Sequence, residues 1–263
     1  MARRPALTAR SADPLLLYQL AVQAPEQDAA QFARWFARRR GRSLQSVRED
    51  FCGSAAIAAA GLRLLPELRA VGIDADATTI AWAQSHTRAA LPDADRARLQ
   101  LICADVRRVR ARADLILATN FSYCVFHTRA ELLAYLRHCR RCLTPEGYVV
   151  LDTWGGGLTH RPFAERHRHR GFAHVWEQRA FDPLTHRVDC RIHFEFDDGT
   201  RQRNAFVYDW RMWTVPELHD LLVEAGLPDV RVLWRSADGL LRERTKVASD
   251  PTWICYVAAG SGD

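Results

Sequence analysis

Apolar positions change their spacing at short intervals along the first half of the chain. Residues 14–39 carry Leu16, Leu20, Phe32, Trp35 and Phe36 in a helical rhythm broken at Pro25, which predicts two helical pieces leading into a core. A strand-like run from Leu44 to Phe51 then gives way to an alanine-rich helix, Ala55 to Leu65, stopped by Pro66. Ala70 to Asp74 reads as a short buried strand, Thr78 to Arg88 as a helix and Leu99 to Cys103 as a third strand. Asp114 to Thr119 is a fourth strand and Arg129 to Leu143 a helix with an apolar stripe at Leu132, Leu136, Cys139 and Leu143. After the stop signal Thr144-Pro-Glu-Gly147, Tyr148 to Asp152 is a fifth strand. This alternation of strands and helices predicts a parallel sheet with right-handed crossovers.

The pattern changes after Gly155-Gly-Gly157. The basic stretch Arg161–Arg170 reads as a mobile loop suited to attracting an anionic substrate, and three β-patterned runs follow: Phe172–Phe181, His186–Phe196 and Arg201–Trp213. Their joints, Asp182-Pro-Leu-Thr185 and Asp197-Asp-Gly-Thr200, have turn composition. In the middle run Val188, Cys190, Ile192, Phe194 and Phe196 alternate with polar residues, so one face is covered and the other is wet or lines a cavity. Thr214 and Pro216 open a helix to Ala225, and Val230–Trp234 and Trp253–Ala258 are expected as last strands, returning antiparallel at the sheet edge.

Composition narrows the class. A chain of 263 residues suits one α/β core with an embellishment. The formal charge of +6 raises nucleic acid as a partner, yet Lys246 is the sole lysine and the arginines are scattered rather than gathered into a stripe, as a GC-rich coding bias would leave them. Seven cysteines without a framework fit a reducing compartment, no stretch of about 18 apolar residues offers a membrane span, and the basic start has no apolar run behind it. A cytoplasmic location and a flexible first dozen residues are the expectations. No metal site is expected: Cys139 and Cys142 share a helix with no second pair, and His160, His167, His169 and His174 are interleaved with arginines.

Candidate chemistry gathers at the ends of the first three strands. Cys52-Gly53-Ser54-Ala55 supplies small residues at a strand-to-helix turn, where backbone can approach a ligand and helix amides are exposed. Asp74 ends the second strand, where a carboxylate can accept from two vicinal ribose hydroxyls. Asp105, with Val106 beside it, follows the third strand, where an adenine amino group and ring nitrogen would find partners. Phe51 stands where a dinucleotide fingerprint has its first glycine, which counts against a pyrophosphate on the helix start.

On these residues the chain resembles, from Tyr18 through Trp253, the class I S-adenosylmethionine-dependent methyltransferases, particularly a bacterial group with an E-D-F-C-G-(S/T)-A first motif. The resemblance implies a Rossmann-like, doubly wound, mostly parallel seven-stranded sheet with an antiparallel three-stranded insertion after strand five. It divides the chain into a helical lid (1–40), a cofactor-binding core (41–154), a β cap (155–213) and a carboxyl-terminal part of the core (214–263). It assigns S-adenosylmethionine to Glu49, Gly53, Asp74, Ala75, Asp105, Val106, Asn120 and Phe121, with Tyr18 and Gln23 folding over it from the lid.

Tyr123 and His127 are candidates to orient or deprotonate an acceptor, and Tyr18, Tyr123, Trp176, His193, Tyr208 and Arg211 are candidates to contact it. The expected partner is a small-molecule acceptor with a nitrogen or oxygen nucleophile, and the cap is also a candidate dimerisation surface. The alternatives are an RNA or protein methyltransferase, and a nicotinamide-dependent reductase or non-catalytic nucleoside-binding module.

Overall fold

Pro14 and Pro25 sit in the first turns of α1 (Pro14–Val22) and α2 (Pro25–Arg40), where a missing amide proton costs nothing. The computed structural model describes residues 7–244 and 251–262; residues 1–6 and Lys246 lie outside the described residues. Residues 9–12 are held rather than loose, because the Gln202 side-chain amide donates to the carbonyls of Ala9 and Ala12.

The core then runs β1 (Ser46–Asp50), α3 (Ala56–Leu64), β2 (Arg69–Asp74), α4 (Ala77–Ala83, prolonged by a π-helical turn to Arg88), the single turn α5 (Asp93–Arg96), β3 (Leu99–Cys103), β4 (Ala113–Ala118), α6 (Arg129–Cys142) and β5 (Leu143–Gly155). The cap comprises β6 (Phe163–His169), β7 (Phe172–Phe181), β8 (Arg187–Phe196) and β9 (Arg201–Arg211). The chain returns through α7 (Val215–Glu224), β10 (Asp229–Arg235), β11 (Leu241–Glu243) and β12 (Trp253–Gly260).

The main sheet has the order β11-β10-β12-β5-β4-β1-β2-β3. Strands β1 to β5 pair in parallel, whereas β12 joins β5 antiparallel and β10 and β11 continue in that sense. The sheet therefore has eight strands rather than the expected seven, the addition being the three-residue β11 on the edge. Strand order reverses between β1 and β4, which leaves a crevice beyond their carboxyl ends for a ligand. Apolar clusters cover both faces: Phe32, Phe36, Ile57 and Leu62 on one, Leu132, Leu136, Leu218 and Leu222 on the other. Cys139 and Cys142 are buried in the second cluster, as their place on the α6 stripe requires.

The cap is a four-stranded antiparallel sheet, not a three-stranded one, because the stretch expected as a mobile basic loop forms β6. Its signal was concealed because both faces of this edge strand are polar. Arg166 and Arg168 alternate with Glu165, His167 and His169. Among the described residues, no helix is long and apolar enough to cross a membrane.

Candidate active site

The turn after β1 is built from left-handed backbone. Phe51, Gly53 and Ala55 all have φ between 53° and 55°, a conformation that costs a residue with a Cβ about 1–2 kcal/mol. The bulk of Phe51 is absorbed beneath the turn, where its ring meets Phe126 and Tyr135 at centroid distances of 6.0 and 5.9 Å. A Cβ on Gly53 would meet nothing within 4 Å, so there is open space over the turn. A Cβ on Gly72 of β2 would lie 3.0 Å from Cys52 Sγ and 3.3 Å from Ala55 Cβ, so the turn packs down on that glycine. Cys52 N–H donates to the Ile73 carbonyl at 2.9 Å and Gly53 N–H to Asp74 Oδ2 at 2.9 Å, which ties the turn to the end of β2.

Three acids arise from strand ends, each in a different setting. Glu49 is buried, accepts the Ala58 amide at 2.8 Å and thereby caps α3 from the neighbouring strand; burial pushes its carboxyl up to about 8. Asp74 is half-buried and accepts the Gly53 and Asp76 amides, so its two oxygens are held in a fixed orientation at the crevice. Ala75 follows it at the exposed start of the next turn. Asp105 makes a two-pronged pair with Arg107, and these hydrogen bonds hold its carboxyl below the usual range. The Val106 side chain is buried and its carbonyl accepts from Arg48 at 2.7 Å.

The opposite wall of the crevice follows β4. Asn120 and Phe121 form a consecutive left-handed pair with φ of 57° and 59°. Asp152 near the end of β5 holds them there, accepting the Asn120 amide at 2.7 Å and the Phe121 amide at 2.8 Å. Burial pushes the Asp152 carboxyl up to about 7 despite those two donors. Sequence reasoning missed this residue, which looks from its position like another buried strand residue. Gln23, at the joint of α1 and α2, accepts from Ser54 Oγ at 3.3 Å and so connects the first two helices to the turn.

A cavity of about 550 Å³ lies between α1, the Asn120–Phe121 pair, the end of β5 and the cap sheet. Its walls include Tyr18, Phe121, Trp154, Trp176, Tyr208 and Trp210, with Glu165, His167 and His174 on the cap side. Asp74 and Asp105 are not among its walls, so the acid edge and the aromatic cavity are separate regions, and Asn120 and Phe121 belong to the cavity. Tyr208 stacks on Trp210 at 4.2 Å, and Phe121 packs on Trp154 at 4.5 Å.

Residues 49–147 match the model of the family described as methyltransferase domain. The chain carries a methyltransferase domain. The enzyme is an S-adenosylmethionine-dependent methyltransferase, which sets aside the reductase and the non-catalytic module. No curated protein matches the sequence. Solved structures share the fold at low identity. The CcbJ methyltransferase from Streptomyces caelestis superposes with a TM-score of 0.70 at 16% identity, over 91% of this chain and 97% of that one. The S-adenosylmethionine-bound CalS10, an amino pentose methyltransferase from Micromonospora echinaspora, gives 0.67 at 17%, over 98% and 99%. The sugar N-methyltransferase KedS8 from a Streptoalloteichus species gives 0.66 at 17%, over 100% and 97%.

Within this methyltransferase the acceptor residues expected from sequence divide. Tyr18, Trp176 and Tyr208 line the cavity; Tyr123, His193 and Arg211, like the candidate base His127, do not. Tyr123 is fully buried in the core, where burial raises its hydroxyl well above the usual phenol value. His127 Nε2 is 2.7 Å from the Asp209 carbonyl and serves as a latch between the segment after β4 and the cap. His193 lies between the Glu177 carboxylate and the Asn204 amide on the other face of β8. Arg211 stacks over Trp213 at 3.7 Å and pairs with Glu217 at the start of α7. Strand parity decides these fates: Ile192 and Trp210 line the cavity, so His193 and Arg211, one residue on, point the other way.

Glu49 and Asp152, whose carboxyls are raised further than that of Asp50, set a pH dependence. Folded Glu49 and Asp152 keep their protons, up to about 8 and about 7, at pH values where an unfolded carboxyl near 4 has lost its own. The folded state then binds more protons, so their contribution is full below about pH 4 and is lost as pH rises through the folded values. Urea denaturation of the donor-free enzyme should show lower stability at pH 8 than at pH 5, with a shallower decline in Asp152→Asn. A stability that rises over that interval, or an unchanged slope in the variant, contradicts this account.

Proposed function

We propose that this enzyme transfers the methyl group to a nitrogen or oxygen nucleophile of a small molecule held in the cavity beneath the cap. The observation that carries the reading is the aromatic cavity of about 550 Å³ lined by Asn120 and Phe121, of a size for one small ligand. An RNA or protein acceptor would need a groove larger than one ligand's width. For RNA it would need basic walls as well, and among the described residues no arginine or lysine lines this cavity. The sugar N-methyltransferase KedS8 and the amino pentose methyltransferase CalS10 share the fold, which is consistent with a compact acceptor.

Asp74 is assigned to the ribose hydroxyls, the Cys52–Ala55 turn with its open space over Gly53 to the donor's path along the sheet edge, and Val106 with Asp105 to the adenine, Asp105 having to exchange part of its pair with Arg107 for the amino group. Glu49 and Asp152 act through the backbone they hold, the start of α3 and the Asn120–Phe121 pair. When bound, S-adenosylmethionine supplies an activated methyl group on a sulfonium. The protein's own task is to align the acceptor lone pair behind that methyl and to exclude water. For an amine acceptor no dedicated base is required, since it need only arrive neutral; a hydroxyl acceptor would have to give up its proton to a base or to water.

Calorimetry tests the donor assignment. Asp74→Ala should weaken S-adenosylmethionine binding by about 1.5–3 kcal/mol, the loss expected for hydrogen bonds to a charged acceptor. An unchanged affinity would place the ribose elsewhere. For the acceptor, release of S-adenosylhomocysteine should be stimulated by amino- or hydroxyl-bearing small molecules. Steeply salt-dependent binding to RNA would instead favour the macromolecular reading.

A further inference from the structure

His174 is the one cavity residue whose surroundings ask for a ligand. It lies on β7, is only 7% exposed, lines the cavity, and neither Nδ1 nor Nε2 has a hydrogen-bond partner among the described residues. Leaving a buried polar group unpaired costs about 1–3 kcal/mol, so a native site that keeps one open is placed to be satisfied by something that enters. Facing it across the strand pair is His167, its ring 6.1 Å away and roughly parallel, and His167 Nε2 is in turn 3.5 Å from Glu165 Oε2.

We propose that His174, with His167 and Glu165 beside it, forms a polar subsite at the cap end of the cavity that takes a ring hydroxyl of an uncharged, hydroxylated acceptor. The proposal rests on the reading of the cavity as the acceptor site and specifies the chemistry of what fills it.

Two properties of the subsite select this class. Burial, reinforced by His167 and His169, lowers the His174 imidazole to about 4, so at neutral pH the ring is uncharged and offers one donor and one acceptor. A hydroxyl group, itself donor and acceptor, is complementary to that pair. The other property is the charge of the walls. Alternation along β6 puts Glu165 and His167 toward the cavity, while Arg166 and Arg168 lie on the opposite face, bonded to Glu195 at 2.9 Å and Asp197 at 3.4 Å. A phosphorylated or carboxylated acceptor would therefore meet Glu165 with no arginine or lysine among the described lining residues, whereas the apolar face of a neutral pyranose ring can lie on Trp176 and Tyr208.

The test uses the full-length enzyme with S-adenosylhomocysteine bound and three probes: phenyl β-D-glucopyranoside, its 6-phosphate, and the hydroxyl-free analogue 2-phenoxytetrahydropyran. Wild type should bind the glucoside, His174→Phe should bind it about ten-fold more weakly, and both should bind the hydroxyl-free ring equally, the phosphate being the weakest probe for wild type. Glucoside addition should also shift the His174 Cε1–H resonance of the wild type. The subsite is overturned if wild type binds no glucoside, if His174→Phe binds it as well as wild type, or if the phosphate binds tightest. Calorimetry with S-adenosylmethionine reports separately on the methyltransferase reading: loss of donor binding by wild type strikes that reading and not the subsite. If His174→Phe fails to bind the donor and is therefore misfolded, His174→Gln and the wild-type resonance decide, absence of a shift overturning the proposal.

Discussion

Arg48→Ala should cost about 3–5 kcal/mol of folding stability, the largest effect expected of any single substitution in this enzyme. Arg48 and Asp50 are both fully buried on the central strand β1, two residues apart and therefore on the same face of the sheet. The guanidinium donates to both oxygens of Asp50, at 2.7 and 3.1 Å, and to the carbonyls of Val109 at 2.8 Å and Val106 at 2.7 Å. Tyr135 of α6 completes the carboxylate's shell at 2.9 Å. Burial alone would leave Asp50 mostly protonated. Arg48 and Tyr135 oppose that, and its carboxyl is raised only to about 6. Removing the arginine leaves an uncompensated buried carboxylate and two carbonyls without their donor, and it releases the segment after β3 that carries Val106. Urea denaturation should show the loss, and donor calorimetry a weakened affinity in whatever fraction remains folded. Tyr135→Phe, which removes one hydrogen bond and no charge, should cost about 1 kcal/mol. A loss below that in Arg48→Ala would show that the pair contributes little.

Asp152→Ala should have the largest effect on catalysis. Its two oxygens are the acceptors for consecutive backbone amides of the left-handed pair Asn120–Phe121. Without them two part-buried amides lose their partners, at about 1–3 kcal/mol each, and nothing holds two non-glycine residues in a conformation they otherwise avoid. Both residues line the cavity, and misplacement of an active-site wall by about 1 Å can cost on the order of a hundred-fold in rate. Turnover should fall by about that factor, while donor affinity, on the proposed placement of the donor at the β1 and β2 ends, falls much less. Asp152→Asn, which can still accept one amide, should be intermediate. Equal turnover in Asp152→Ala and wild type would mean that other contacts hold the pair.

Much of the geometry at the ends of β1 to β3 was legible in the sequence because it obeys local rules. A turn of small residues between strand and helix, with acids ending the next two strands, is a linear arrangement, and Glu49, Gly53, Asp74 and Asp105 lie where that arrangement puts them. What could not be read there was how the atypical residues are tolerated. Phe51 fits because Phe126 and Tyr135 make room for its ring from elements some 75 and more residues away. Asp105 was read as an open acceptor, whereas Arg107 two residues later already occupies it.

The acceptor side was less legible, and for a definable reason. His193, Arg211, Tyr123 and His127 were chosen by residue type. The residues that do face the cavity were selected by strand parity and by which cap face meets the core. A count along β8 and β9 from the apolar positions would have excluded His193 and Arg211. No local count would have found Glu165, His167 and His174, because β6 has no apolar alternation to declare it a strand.

The sequence by itself determined the alternation of β1 to β5 with their helices, the parallel core, and the acids at the strand ends that suit a nucleoside-bearing donor. These depend on periodicity and on spacing of a few residues, which a chain displays in one dimension. Only the tertiary structure decided that Asp152 holds the Asn120–Phe121 turn, that Arg48 and Asp50 tie β1 to the segment after β3, and that the basic stretch before residue 170 turns its arginines outward and His167 into an aromatic cavity. Those outcomes come from burial and from pairing between distant segments, whose energies do not exist until the cap closes on the sheet.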